Sequence, residues 1–153
     1  MTADVARFED LYEEHGARLW RAMLLYTGDR EIASDAVAEA FAQALRRGDD
    51  LRSPERWIWR SAFKIAAGEL SRRRHQTEIE TATSYEVPEE TTELLLALPK
   101  LAANQRVALV LHYYCGYSLK EVAQITSSTP SAVGVRLYRG RNRLRELLGD
   151  DDA

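Results

Sequence analysis

The chain has one cysteine, Cys115, among 153 residues, so no disulfide can form within it and a cysteine-rich zinc site is excluded. Its three histidines, His15, His75 and His112, are scattered, and none of the patterns HExxH, GxSxG, GxGxxG or GxxxxGKS/T occurs. From that inventory no catalysis, no cofactor and no metal site are expected. No apolar run approaches the ~20 residues that a membrane-spanning helix needs. The N-terminus, MTADVARFEDLYEEHG, lacks the basic start and apolar core of a secretion signal, so a cytosolic protein without membrane insertion is expected. Lys and Arg are absent from Gln76 to Ala97, where Glu78, Glu80, Glu86, Glu89, Glu90 and Glu93 all fall.

What is present is the composition of a folded chain, 45% hydrophobic and 29% charged with a net charge of -3. Its charge is unevenly placed. Arg72-Arg73-Arg74 precedes the acidic stretch, and arginines at 136, 139, 141, 143 and 145 follow it with no acidic residue between 129 and 145. That polarity reads as two basic modules joined by an acidic connector.

Helical periodicity runs through both modules. Phe8, Leu11/Tyr12, His15, Leu19, Ala22/Met23 and Tyr26 mark one face of a first helix, ended by Thr27-Gly28-Asp29. Ile32/Ala33, Ala36/Val37, Ala40/Phe41 and Ala44/Leu45 mark a second, whose other side carries Ser34, Asp35, Glu39 and Gln43 and which Gly48 closes. Ser53-Pro54 starts a third, reaching about Arg74, with Trp57/Ile58, Ala62, Ile65/Ala66 and Leu70 toward a core. The stretch from His75 to about Thr91 has no sustained period and reads as a flexible linker, the alternative being a short helix at 76–83. Beyond it, Leu101, Val107/Ala108, Leu111 and Tyr114/Cys115 give a further core face, with Cys115 a small buried hydrophobe.

The most specific stretch is YSLKEVAQITSSTPSAVGVRL. Ser118 and Glu121 form a capping box that starts a short helix at Leu119. Thr126-Ser127-Ser128 is a tight turn, and Thr129-Pro130 caps a second, basic helix. Short helix, turn and basic helix make a helix-turn-helix, whose second helix enters the major groove. Thr129, Ser131, Ala132 and Val135 are small enough for close approach to base edges. Arg136 and Arg139 can fork onto guanine or phosphate, and Arg141 lies further along the same helix. An arginine-rich last helix can also be a merely solvated surface; the capped helix and turn in front favour the motif.

A second candidate is RWIWRSAFKIAAGELSRRRH, which interleaves Trp57, Trp59 and Phe63 with Arg56, Arg60, Lys64, Arg72 and Arg73. Three large aromatics cannot share one helix face, so part of the set should lie at the surface. Exposed aromatics beside cations suit unstacked single-stranded bases. Trp57 is expected in the core, whereas Trp59 is open to either reading.

In this order of parts the chain, from about Phe8 to Leu148, resembles a bacterial sigma factor of the extracytoplasmic-function type, region 2 followed by region 4. GDREIASDAVAEAFAQALRR looks like the helix that binds RNA polymerase core, SPERWIWRSAFKIAAGELSRRR like the segment that opens and reads the −10 element, and LPKLAANQRVALVLHYYCGYSLKEVAQITSSTPSAVGVRLYRGRNRLREL like region 4, which reads the −35 element. The resemblance implies that Asp35, Glu39 and Gln43 face polymerase core and that the loop from Arg46 to Arg52 pockets a flipped −10 base. It also implies that Arg56, Trp59, Arg60, Lys64, Arg72 and Arg73 serve the −10 strand. Ser131, Arg136 and Arg139 would contact −35 DNA. A partner anti-sigma factor is implied too. Ser34 and Ala38 stand where the family commonly has an acidic residue and Gln, Lys64 and Gly68 where Asn and Asp are common, and Gly134 where Lys is frequent.

The expected fold is all-α: a region 2-like domain at 1–75, an acidic linker at 76–91 and a helix-turn-helix domain at 92–149. The expected function is promoter recognition with polymerase core. Two other readings are a stand-alone helix-turn-helix regulator and a sigma-like protein acting mainly through protein contacts.

Overall fold

A computed structural model describes residues 2–74 and 89–149. These residues form seven α-helices: α1 (Thr2–Thr27), α2 (Arg30–Arg47), α3 (Pro54–Arg74), α4 (Glu89–Ala97), α5 (Ala103–Leu109), α6 (Leu119–Thr126) and α7 (Pro130–Leu148). Most of the linker, and the alternative helix at 76–83, lie outside the described residues; Glu89 to Thr91, expected in the linker, belong to α4.

Local chemistry explains where the helices start and stop. Asp29 caps α2, its Oδ1 accepting the Ile32 N–H at 3.0 Å, and Gly48 closes it. Ser118 and Glu121 satisfy each other's backbone amides at 3.1 and 3.0 Å, so the capping box at the head of α6 is formed. The Ser118 N–H donated to the Glu121 carboxylate also holds that carboxyl below its ordinary pKa. Ser127 takes the left-handed conformation, φ 56°, which turns the chain between α6 and α7. Thr129 Oγ1 then accepts the Ala132 N–H at 3.1 Å, with Pro130 in the first turn of α7.

In the first module α1, α2 and α3 pack on one another. Ala33, Ala36, Ala40 and Ala44 of α2 are all fully buried, and their small side chains let the neighbouring helices approach closely around Leu19, Met23, Ile32 and Ile58. Arg73, near the end of α3, reaches back to Asp29 at 2.9 Å and Glu31 at 3.2 Å, clamping α3 onto the capped start of α2.

In the second module α7 crosses α5 at Gly140, where an added Cβ would lie 2.9 Å from Leu109 Cδ1. α5 runs into a π turn at Val110–Tyr114, the Cys115 N–H bonding to the Val110 carbonyl. The turn shifts the helical phase: Cys115 is buried, but Tyr114, expected beside it in the core, is exposed. Burial pushes the Cys115 thiol up to about 11.

The two modules share one hydrophobic core. α1 touches the π turn, and α3 touches α6. Tyr117, between the π turn and α6, stacks edge-on against Trp59 of α3 with ring centroids 5.4 Å apart, and its hydroxyl donates to Glu55 at 3.0 Å. Burial, then the adjacent Glu55 carboxylate, push the Tyr117 hydroxyl well above its usual pKa. Arg18 of α1 donates to the Cys115 carbonyl and sits 5.3 Å from the Tyr117 ring centre. In the opposite sense Arg106 of α5, only 2% exposed, lies 4.6 Å over the ring of Tyr26 in α1.

Candidate nucleic-acid interface

α7 turns Val133, Leu137 and Gly140 inward, which leaves Ser131, Val135, Tyr138 and Arg139 exposed along its outer side. Thr129 is exposed at the helix start, Ala132 and Arg136 are half-buried on the flank, and neither Arg136 nor Arg139 makes an ion pair among the described residues. Arg141, also half-buried, donates to the Tyr113 hydroxyl at 2.6 Å. The seven residues expected at this surface thus fall on one helix, four of them fully outward or at its tip. Tyr138, 61% exposed and one turn beyond Val135, was not foreseen; its spacing of three from Val135 was the available signal. The arrangement is a cationic ridge with a narrow, small-residue leading end, the shape a major groove accepts.

The basic surface of α3 is built differently. Arg52, Arg56, Arg60 and Lys64 are exposed, and Arg60 and Lys64 line a groove of about 300 Å³ between α2 and α3 with Gln43, Arg47, Trp57 and Ile65. Here Trp57 departs from its expected core place, and Trp59, open to either reading in the sequence, proves to be the core residue. Trp59 is wholly buried under Tyr117, so in this conformation it offers no face to a base. Trp57 is half-buried and lines the groove, with the Arg47 guanidinium 5.1 Å from its ring centre. Adjacent turns on a helix decide this: Trp59 falls with Ile58, Ala62 and Phe63 on the packed side.

Arg72 and Arg73 do not join the groove. Arg72 is bound to Glu69 within α3, and Arg73 is held by Asp29 and Glu31, so Arg73 braces α3 against α2. Arg46 is exposed and pairs with Glu39 at 3.2 Å. Glu39 also accepts from Gln43 at 3.0 Å, and these two bonds, Gln43 first, keep its carboxyl below the ordinary range. Asp35 and Glu39 stand exposed on α2, while Gln43 forms the rim shared with the Trp57 groove. Ser34, beside Asp35, accepts the Trp20 indole N–H at 3.0 Å.

No helix among the described residues is long and apolar enough to cross a membrane. The family described as sigma-70, region 4 matches residues 91–144, the span that carries the helix-turn-helix. The extracytoplasmic-function sigma factor SigL of Mycobacterium tuberculosis is 29% identical, over 95% of this chain and 91% of its own length. The sigma factor CarQ of Myxococcus xanthus is 28% identical over 94% and 90%. The sigma factor RpoE of Bartonella quintana, solved with the anti-sigma factor NepR, shares the fold, with a TM-score of 0.81 at 21% identity over 96% of this chain and 99% of that one. Residues 91–144 thus carry a sigma-70 region 4, and along nearly its whole length the chain is similar to RNA polymerase sigma factors of the extracytoplasmic-function type.

Proposed function

We propose that the chain is a sigma factor of the extracytoplasmic-function type, which binds RNA polymerase core in the cytoplasm and directs it to promoters by reading −35 DNA with α7 and −10 DNA with α3. The observation that carries the reading is the outer face of α7, where exposed Ser131, Val135 and Arg139 follow a capped turn inside the matched region 4. Ser131, Val135 and Arg139 take the base edges, with Thr129 and Ala132 giving close approach; Arg136 and Arg141 meet phosphates.

The first module, assigned to residues 1–75, handles the separated strand. Arg52, Arg56, Arg60 and Lys64 neutralise its backbone, and Trp57 rather than Trp59 supplies the aromatic face. Arg46, next in sequence to the groove-lining Arg47, pairs with Glu39 and so couples strand contact to the α2 surface. Asp35, Glu39 and Gln43 on that surface meet polymerase core. The second module, residues 92–149 with the preceding turn of α4, holds the duplex. All of this is binding and positioning, with no bond made or broken by the sigma factor itself. The relatives solved with anti-sigma factors support such an inhibitor as a further partner.

In vitro transcription with purified core polymerase and a promoter library tests the proposal. Active templates should share two sequence elements, the upstream one losing its influence when Arg139→Ala is used. A protein that fails to associate with core and selects no sequence contradicts it.

A further inference from the structure

The groove between α2 and α3 has the size and lining of a pocket for one base. Its volume of about 300 Å³ suits a single nucleobase rather than a run of them. Trp57 and Ile65, both half-buried, give it an apolar wall. Such a wall favours a base over a phosphate, because only the base has a π face and apolar surface to cover. Gln43 marks the α2 side and is held there by its amide nitrogen, which donates to Glu39 at 3.0 Å. Of the loop 46–52, expected to pocket a flipped base, only Arg47 lines this groove.

The hydrogen-bonding character of the rim is one-sided. Arg47, Arg60 and Lys64 are donors with no acceptor atom, Ser61 adds a hydroxyl, and no carboxylate among the described residues lines the groove. The three cations are not equivalent. Arg47 lies 5.1 Å from the Trp57 ring centre and extends the stacking wall. Arg60 continues the exposed stripe begun by Arg56, along which the strand backbone runs. Lys64, one turn further, is exposed, has no carboxylate partner among the described residues and stands next to Ile65 of the wall. Its ammonium carries its donors on a flexible stem, so it can serve two acceptors on one base edge.

Bases differ in what they offer such a rim. Guanine presents two adjacent acceptors, O6 and N7, whereas thymine presents O4 alone. Adenine and cytosine each present an amino donor. A donor facing a donor leaves both without a partner once water is displaced, a cost that adenine and cytosine bear and guanine does not.

We infer that this groove is a base-selective pocket for the unpaired strand. One base stacks on Trp57 and Arg47, and Lys64, besides its share in neutralising the backbone, selects guanine by donating to O6 and N7. The inference rests on the −10 reading of α3 given above and adds to it the base selected and the residue that selects it.

The test titrates the full chain, alone and bound to core polymerase, with short fluorescent oligothymidylates that carry one central guanine, adenine, cytosine or 7-deazaguanine. The guanine strand should bind about tenfold more tightly than the adenine and cytosine strands, with plain thymidylate between them. 7-Deazaguanine, which lacks the N7 acceptor, should lose most of that advantage. Lys64→Gln should abolish it, whereas Arg56→Gln, on the backbone stripe outside the groove, should weaken all strands alike and keep their ranking. Both side chains are exposed, so neither change opens the core. Equal binding of all strands, a ranking that survives Lys64→Gln, 7-deazaguanine bound as well as guanine, or no binding to any single strand overturns the pocket. A guanine ranking that depends on Lys64 without transcription from any promoter would keep the pocket and sink the promoter reading. Transcription from selected promoters without such a ranking would do the reverse.

Discussion

α3 and α7 are both long helices rich in arginine, yet their cations are differently available. α7 shows solvent a whole face over its first three turns, with Arg139 exposed and unpaired among the described residues. α3 is covered on one side by the second module, and Arg72 and Arg73 at its far end are bound to carboxylates. Composition alone does not distinguish the two. What neighbours each helix decides whether it is a ready surface or a braced one.

The sharpest way to break the comparison is at the two tryptophans. Trp59→Ala should cost about 3–5 kcal/mol of folding stability, because it empties a fully buried site at the junction of the modules. Denaturant unfolding measures this. Trp57→Ala should cost far less stability but weaken single-strand binding by about 1–3 kcal/mol, since Trp57 lines the groove. Equal losses of stability would erase the distinction between them.

On α7, Arg139→Ala should weaken promoter duplex binding by about 1–3 kcal/mol and relax selectivity if it reads a base, whereas Arg136→Ala, on the flank, should weaken all duplexes alike and reduce the salt dependence. Titrations at two salt concentrations separate the cases. Within the same helix, Gly134→Ala should raise stability by up to about 1 kcal/mol, because nothing lies within 4 Å of the added carbon. Gly140→Ala should lower stability or shift α5, since Leu109 occupies that space.

The smallest effect concerns the head of α6. The Glu121 carboxyl is held below its usual value by Ser118, so its stabilisation is complete above about pH 4.5 and is lost as pH falls through the lowered value. Glu121→Gln should flatten that part of the thermal stability profile.

These contrasts also mark what a reader of the sequence can and cannot see. Helix starts were legible because their causes are local: Asp29, Ser118 with Glu121, and Thr129-Pro130 each act within three residues. The outward stripe of α7 was legible for the same reason, since Val133 and Leu137 fix its phase. The burial of Trp59 was not, because its cover comes from Tyr117 in the other module. Nor was the bracing role of Arg73, whose partner Asp29 is 44 residues away. Tyr114 escaped the expected core because a π turn moved the phase, an event that apolar periodicity does not signal. Arg106, lodged over Tyr26, has a burial that only the packing of the modules produces.

The most direct measurement is permanganate footprinting of a library-selected promoter bound by core polymerase and this chain. Unpaired, reactive thymines confined to the downstream element, with the upstream element still duplex and protected against DNase I unless Arg139 is changed, is the predicted pattern. Thymines that stay unreactive throughout while polymerase is bound, or protection indifferent to Arg139, would contradict the division of labour between α3 and α7.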